Sequence, residues 1–567
     1  MQQRTCQVLV VGGGPGGYPA AIRAGQLGLD TIIVDKHGLG GTCLNRGCIP
    51  SKAMIHAATE FEHMSEAARG DRFGISLSEA PKLDMGKLVG WKDGIVSKLT
   101  GGVAQLIKAA GAEHIAGWAE FSNAKTCIVT QEDGEKVEIT AENVILATGS
   151  VEVELPFMPF GKSVIGSTQA LDLTERPEKL VVVGAGYIGL ELGIAYRKLG
   201  TEVTFIEALD RILPLYDKEI TRPITMWLKK HKVDVHLSCK ARGVTETKGG
   251  KAVLEYEDAK GATQSIEADK ILVAVGRKAC LDGWGLENMG LDMDGKFIKV
   301  DAQCRTGMRG VYAIGDVVGE PLLAHKATAQ GEMVAEIIAG QRRVHDPVAI
   351  AAVCFTEPEV VGVGLTPDEA KAKGEEVITG KFPLAASGRY LSMDAGTDGG
   401  FVRVTARKDD HVILGIHAVG THVSELSGEF ALAVEMGARL EDISGTIHVH
   451  PTLTEGFAEA ALESDRFETL LQQALEVPVP HGLAEEIILR QSLESESRGR
   501  LWPWLTAVAA VLALAVALTT FMFFPRNSML ELQQHVAEHW QYDGPQVLAA
   551  AQPGGVIAVQ TGTLVKL

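Results

Sequence analysis

Gln7-Val8-Leu9-Val10-Val11-Gly12-Gly13-Gly14-Pro15-Gly16-Gly17 is the stretch that decides the fold. Gln7 to Val11 reads as a buried strand, the glycines as a tight turn, and Tyr18 to Leu27 as a helix. A second strand, Thr31 to Val34, ends at Asp35. A glycine-rich turn with a strand before it, a helix after it and an acid closing the next strand is the setting of a dinucleotide site. Gly12 permits the turn, Gly14 lets a diphosphate approach the backbone, and Gly17 lets the helix pack closely on the strand. The free N–H groups of the helix start then face the phosphates. Asp35 is placed to accept hydrogen bonds from ribose hydroxyls. Pro19 lacks the N–H that begins to matter at its position and is expected to distort the first helical turn slightly.

The pattern recurs. Leu180 to Val183 reads as a strand, Gly184-Ala185-Gly186-Tyr187-Ile188-Gly189 as the turn, and Val203 to Ile206 as a strand ending at Glu207. In both copies the acid lies 18 positions after the last glycine, from 17 to 35 and from 189 to 207. Two dinucleotide sites are therefore expected. A carboxylate at Glu207 welcomes a free ribose 2′-hydroxyl and repels a 2′-phosphate, which favours NAD over NADP. The composition agrees with an α/β class. The chain has 567 residues, enough for several domains, with 46% apolar residues and 64 glycines. The formal net charge of −18 makes a general nucleic-acid partner a poor match, because such a partner requires phosphate neutralisation.

Of eight cysteines, six are scattered singly and read as small buried hydrophobes. Cys43 and Cys48 are close, in Gly40-Gly41-Thr42-Cys43-Leu44-Asn45-Arg46-Gly47-Cys48-Ile49-Pro50-Ser51-Lys52. Their spacing places them about one helical turn apart, near enough to bridge. A zinc half-site would need two further ligands at similar spacing, and none is visible, so no metal site is expected. A structural disulfide is the other reading. No secretory signal opens the chain, which puts the main body in the cytoplasm, where a disulfide is more often catalytic.

The cysteine segment closely resembles the redox-active site of the pyridine-nucleotide disulfide oxidoreductases, and its Cys-Ile-Pro-Ser-Lys ending looks most like the dihydrolipoamide dehydrogenases among them. Further motifs of that family follow in order: Ala147-Thr148-Gly149, Gly186-Tyr187-Ile188-Gly189-Leu190-Glu191, Val275-Gly276-Arg277, Tyr312-Ala313-Ile314-Gly315-Asp316, Leu323-Ala324-His325-Lys326-Ala327, and His448-Val449-His450-Pro451-Thr452-Leu453-Thr454-Glu455. The resemblance runs from about residue 5 to 463. It implies an FAD-binding domain over 1–149 with a second segment over 276–345, an NAD-binding domain over 150–275 and an α+β dimerisation domain over 346–463. It implies FAD contacts at Gly12, Gly14, Gly17, Asp35, Lys52, Thr148, Gly149, Asp316 and Ala324. NAD contacts are implied at Gly184, Gly186, Tyr187, Gly189, Glu191, Glu207 and Gly276.

The implied activity is oxidation of protein-bound dihydrolipoamide with reduction of NAD+. Cys43 is the interchange sulfur and Cys48 the sulfur facing the flavin. His450 is the base, oriented by Glu455. Lys52 and Glu191 form an ion pair, and Tyr187 is a lid over the nicotinamide. Arg46 stands where many relatives carry an apolar residue and is expected to lower a nearby thiolate pKa. Partners implied are a second copy of the chain, whose site His450 completes, and a lipoyl-bearing acyltransferase of a 2-oxo acid dehydrogenase complex. Leu192-Gly193-Ile194-Ala195-Tyr196-Arg197-Lys198-Leu199-Gly200 and Ile350-Ala351-Ala352-Val353-Cys354-Phe355-Thr356 resemble the branched-chain form. Glutathione reductases, by contrast, carry basic residues at the place of Glu207, and mercuric and large thioredoxin reductases carry a late cysteine pair, whereas here no cysteine follows Cys354.

Beyond residue 463 the chain departs from this pattern. A helical linker is expected over 464–501, a transmembrane helix over 502–525 and a tail over 526–567. Trp504 to Phe524 holds 21 residues without a charge, long enough to cross a bilayer. Trp502, Trp504, Phe521, Phe523 and Phe524 suit interfacial anchoring, and Arg490, Arg498 and Arg500 keep the catalytic part on the cytoplasmic side of an inner membrane. The extension resembles a small single-span bacterial membrane family of unknown function. Two rival readings stand beside the main one: a membrane-tethered NADH-dependent reductase of another disulfide or a quinone, and a redox-sensing interaction protein.

Overall fold

The strand Gln2–Val11 lies at the centre of the first sheet, and its burial explains its composition. Val8, Leu9 and Val10 are fully buried, the continuous apolar run of a parallel strand covered on both faces. The strand starts five residues earlier than the expected Gln7, because residues 2–6 extend the pairing with Lys136–Leu146. The sheet order is Glu113–Ala116, Thr31–Asp35, Gln2–Val11, Lys136–Leu146, Thr126–Thr130, Trp118–Asn123, with Val311–Ala313 added parallel to Lys136–Leu146. The computed structural model describes residues 1–464, except Asp71, Lys248, Gly249 and Thr397, together with an antiparallel pair of strands, Val556–Val559 and Thr563–Lys566. The expected linker from 465, the span over 502–525 and most of the tail lie outside the described residues. Among the described residues no helix is long and apolar enough to cross a membrane.

A second parallel sheet, in the order Asp234–His236, Glu202–Ile206, Lys179–Val183, Lys270–Val273, Val164–Ile165, repeats the first around the second glycine turn. A two-stranded ribbon joins the sheets: Ser150–Glu152 pairs antiparallel with Arg277–Ala279, so the chain leaves the first sheet and returns at one place. A third, antiparallel sheet holds Ala352–Cys354, Glu359–Gly364, Ile413–Gly420, Phe401–Arg407 and Val377–Pro383, with its own core that includes Phe430 and Phe457.

The two glycine turns are built alike. Gly12 has φ +104° and Gly184 φ +103°, the left-handed region that glycine enters without strain. A Cβ on Gly17 would lie 1.7 Å from the carbonyl oxygen of Gly12, and one on Gly189 2.1 Å from that of Gly184. The third glycine of each turn therefore sets helix–strand distance. Pro19 is accommodated within the helix Gly17–Gln26. The Pro15 carbonyl that it leaves without a helical donor accepts the Thr328 hydroxyl at 2.8 Å.

Gly189→Ala should destabilise the protein by about 1–3 kcal/mol or prevent folding, because a backbone carbonyl cannot yield to the new methyl. Gly186, whose Cβ position meets nothing within 4 Å, should tolerate alanine with a change of about 0.5 kcal/mol or less. Thermal unfolding of the two variants measures the contrast.

Candidate active site

In both turns the acid does more than await a ribose. Asp35 accepts the Gly13 N–H at Oδ2 (2.6 Å) and the His37 N–H at Oδ1 (2.6 Å). Glu207 accepts the Ala185 N–H at Oε2 (2.6 Å) and the Leu209 N–H at Oε1 (2.8 Å). Each carboxylate thus holds its glycine turn closed, with one lone pair per oxygen remaining for a ligand hydroxyl. The backbone around Gly14 is open: its Cβ position meets nothing nearer than Gly41 Cα at 3.8 Å.

A cavity of about 480 Å³ runs from the first turn to the cysteine segment. Of the sequence-derived FAD positions, Gly12, Gly14, Asp35, Lys52, Thr148, Gly149, Asp316 and Ala324 line it, together with Cys43, Cys48, Tyr187 and Glu191. Gly17 packs beneath the turn instead. Gly184, Gly186, Gly189 and Glu207 sit at the second turn, away from this cavity, and Gly276 (φ +122°) lies at the return of the ribbon.

The cysteines do not share a helix. Cys43 is on the helix Gly41–Arg46 and Cys48 begins the helix Cys48–Arg69, with a break at Gly47 whose Cβ position would lie 2.8 Å from the Thr42 carbonyl oxygen. The break sets the two thiols close enough that each is the first influence on the other's acidity. Cys43 comes first in lowering Cys48 to about 7, aided by the Lys52 ammonium and its own backbone N–H against the opposition of burial. Cys48, then burial, drives Cys43 upward. Cys48 lines the cavity and is exposed by area, yet burial opposes its charge. Lys52 is a cation that favours the Cys48 thiolate, while the Arg46 charge acts on His37.

Lys52 Nζ lies 2.7 Å from Glu191 Oε2, and Glu191 Oε1 accepts the Phe355 N–H at 2.9 Å. Lys52 also stands 4.4 Å over the Phe355 ring. Residues missed in the sequence complete the wall. Arg277 donates to Ser150 Oγ at 2.8 Å and to the Ser150 carbonyl at 2.7 Å, while the Ser150 hydroxyl donates to Asp316 at 2.5 Å. Arg277 follows Gly276 in a motif already singled out, which was the one signal available.

His450 and Glu455 do not line the cavity. His450 Nδ1 is 2.7 Å from Glu455 Oε1, and Glu455 Oε2 accepts the Thr452 N–H at 2.7 Å. The Thr452 bond first, then the imidazole, hold the Glu455 carboxyl below its ordinary value. The His450 side chain is 80% exposed, beside Ile447 (96%) and Val449 (73%). His448 is held by Glu429 at 3.1 Å.

Three comparisons fit this geometry. Residues 6–331 match the family model described as pyridine nucleotide-disulphide oxidoreductase, and 350–461 match its dimerisation domain. A dihydrolipoyl dehydrogenase of Pseudomonas aeruginosa is 53% identical over 457 residues, 81% of this chain and 97% of that protein. One from Geobacillus stearothermophilus is 46% identical, over 80% and 95%. The crystal structure of LpdA from Mycobacterium tuberculosis superposes with a TM-score of 0.73 at 26% identity, covering 82% of this chain and 99% of that one. Residues 452–560 match a protein family of unknown function, DUF3379. With two family models lying end to end over its sheets and a cysteine pair at the mouth of its first nucleotide turn, the chain belongs to the pyridine nucleotide-disulphide oxidoreductases.

Proposed function

We propose that Cys43 and Cys48 exchange electrons with protein-bound dihydrolipoamide at one end of the cavity, and that the same cavity and the second glycine turn hold FAD and NAD. The activity is dihydrolipoyl dehydrogenation, with relatives of that name at 43–53% identity over 80–84% of the chain. The observation that carries the residue assignment is the pair of thiols, Cys43 and Cys48, set on either side of the Gly47 break in one cavity wall with the Lys52–Glu191 ion pair. The residues fit the cofactor: the backbone at Gly14 is open to a diphosphate, and the first helix presents its N-terminus there. FAD, when bound, would supply the two-electron acceptor between the cysteine pair and NAD+.

In the disulfide form, the substrate thiolate attacks Cys43 Sγ and the Cys43–Cys48 bond breaks. Cys48 is the better leaving group because it is the sulfur with the lower pKa. Attack by the second substrate thiolate then releases cyclic lipoamide and leaves Cys43 reduced. Two electrons and two protons leave the substrate. His450 takes a thiol proton: with Nδ1 engaged by Glu455, Nε2 is the nitrogen left to accept it. Glu455, kept as a carboxylate, steadies the charged imidazole. Lys52 neutralises the Cys48 thiolate, and Tyr187 at the start of the helix Tyr187–Lys198 covers the nicotinamide side. Residues 1–149 and 276–345 hold FAD, 150–275 hold NAD, and 346–463 form the dimer. The exposed face of His450, Ile447 and Val449 suits a base that serves the second subunit's cysteines. A lipoyl-bearing acyltransferase delivers the substrate, and the span over 502–525 tethers the enzyme to a membrane.

The decisive assay is NAD+ reduction by dihydrolipoamide. Cys48→Ser should abolish it, and His450→Gln should lower it by about 10²–10⁴-fold, the usual worth of a positioned base. Refolding the two inactive variants together should restore activity, since a mixed dimer retains one site with both Cys48 and His450. No recovery would place His450 and Cys48 in one subunit or remove the base assignment.

In the reduced enzyme, alkylation of Cys48 should rise with pH through a midpoint near 7, because the thiolate is the nucleophile. Lys52→Met should move that midpoint upward, since it deletes a charge that favours the thiolate. Glu207→Ala should narrow the NAD+ over NADP+ preference in kcat/KM; an unchanged ratio would show that the carboxylate serves the turn alone.

A further inference from the structure

Arg46 ends the helix Gly41–Arg46, just before the Gly47 break. Its side chain lines the cavity together with Asp35, Lys36 and His37. It lies near enough to His37 that, after burial, its charge is what most lowers that imidazole's pKa. No carboxylate answers it. Its Nε is buried without a hydrogen-bond partner, and no ion pair among the described residues takes it up. Asp35, the acid on the same stretch of wall, spends both oxygens on the N–H groups of Gly13 and His37. Lys36 stands 5.2 Å over the Trp118 ring, another lining residue. This end of the cavity therefore gathers two cations and the start of the helix Gly17–Gln26 against one carboxylate, Asp35, which makes no ion pair with Arg46.

A partly buried guanidinium that meets no acid in the protein is suited to an anionic ligand. Its planar fork of donors matches phosphate oxygens in pairs. The other end of the cavity, where the redox sulfurs lie, already has its cation in Lys52. Arg46 lines the cavity with Asp35, the residue placed for a ribose, and its charge is felt at His37, two positions on.

We propose that Arg46 is a further FAD-holding residue whose guanidinium binds the adenosine diphosphate half of the cofactor. The inference rests on the FAD reading of this cavity. It goes beyond the glycine turn and Asp35, because it assigns part of the cofactor's affinity to a residue on the redox segment itself. The segment carrying Cys43 and Cys48 would thereby be tied to the cofactor at both ends, at Lys52 and at Arg46.

The test is cofactor binding to full-length apoprotein, read from quenching of flavin fluorescence. FAD is titrated directly, and ADP is used as a competing probe. Arg46→Met should raise the dissociation constants of both FAD and ADP by on the order of tenfold or more, as expected for loss of charge-assisted hydrogen bonds. Arg46→Lys should recover part of that loss. The pH midpoint of Cys48 alkylation should stay where it is in the unmodified chain. Equal FAD affinity in the Arg46→Met and unmodified proteins would overturn the proposal. So would a shifted alkylation midpoint with unchanged affinity, which would return Arg46 to the thiolate. Failure of the unmodified apoprotein to bind FAD would instead remove the cavity reading on which the proposal stands. Arg46→Gln, neutral and similar in length, takes the place of Arg46→Met if the latter fails to fold.

Discussion

The carboxylate of Glu191 is the contact on which the catalytic arrangement depends. Its side chain is 5% exposed, and a buried carboxylate is tolerable only when its oxygens are paired. One oxygen takes the Lys52 ammonium from the helix that begins at Cys48, and the other takes the Phe355 N–H just after the strand Ala352–Cys354. Glu191 itself belongs to the helix that opens the second glycine turn. A single group therefore joins the redox helix, the second nucleotide sheet and the third sheet. Deleting the Lys52 charge would leave the buried carboxylate uncompensated, at a cost of about 3–5 kcal/mol, and deleting Glu191 would release the one-third-exposed Lys52. Here the loss would also loosen the cation that faces Cys48. Phe355 adds a second restraint through its ring, since a cation held over an aromatic face has less freedom to swing away.

How much of this was legible depended on whether a requirement falls on neighbouring residues or distant ones. The glycine turns were readable because each demands one residue type at a fixed spacing. The structure gives both turns the same φ and the same tight third glycine. The cysteine pair was readable for the same reason. The brace from Arg277 through Ser150 to Asp316 was not, since its links span 127 and 166 positions and no local pattern encodes them. Arg46 shows the intermediate case. Its nearness in sequence to both cysteines suggested that it acts on their sulfurs. Beyond the break at Gly47 a new helix begins, and it is Lys52 on that helix whose charge favours the Cys48 thiolate. Asp35 and Glu207 were recognised as acids of the turn, but their structural duty of holding it closed was hidden, because the N–H groups they accept are set by the path of the backbone.

The selectivity of the chemistry among eight thiols follows from the same physics. Cys6, Cys127, Cys304 and Cys354 are each pushed up to about 12, in every case chiefly by burial. Cys280, although it lines the cavity, is also raised, first by burial and then by Asp282. Only for Cys48 do a neighbouring thiol, an ammonium and a backbone N–H together outweigh burial. Cys354 marks how local this is. It lies within the field of Glu191 and Lys52, the same pair that flanks Cys48, yet it is raised rather than lowered. Burial is the larger effect there, and the Glu191 charge adds to it. The ion pair alone therefore does not make a thiolate. What distinguishes Cys48 is the second sulfur that the Gly47 break sets beside it, the first of the influences that lower it. Two identical side chains thus become unlike partners by being set side by side, the thiolate favoured at Cys48 and disfavoured at Cys43.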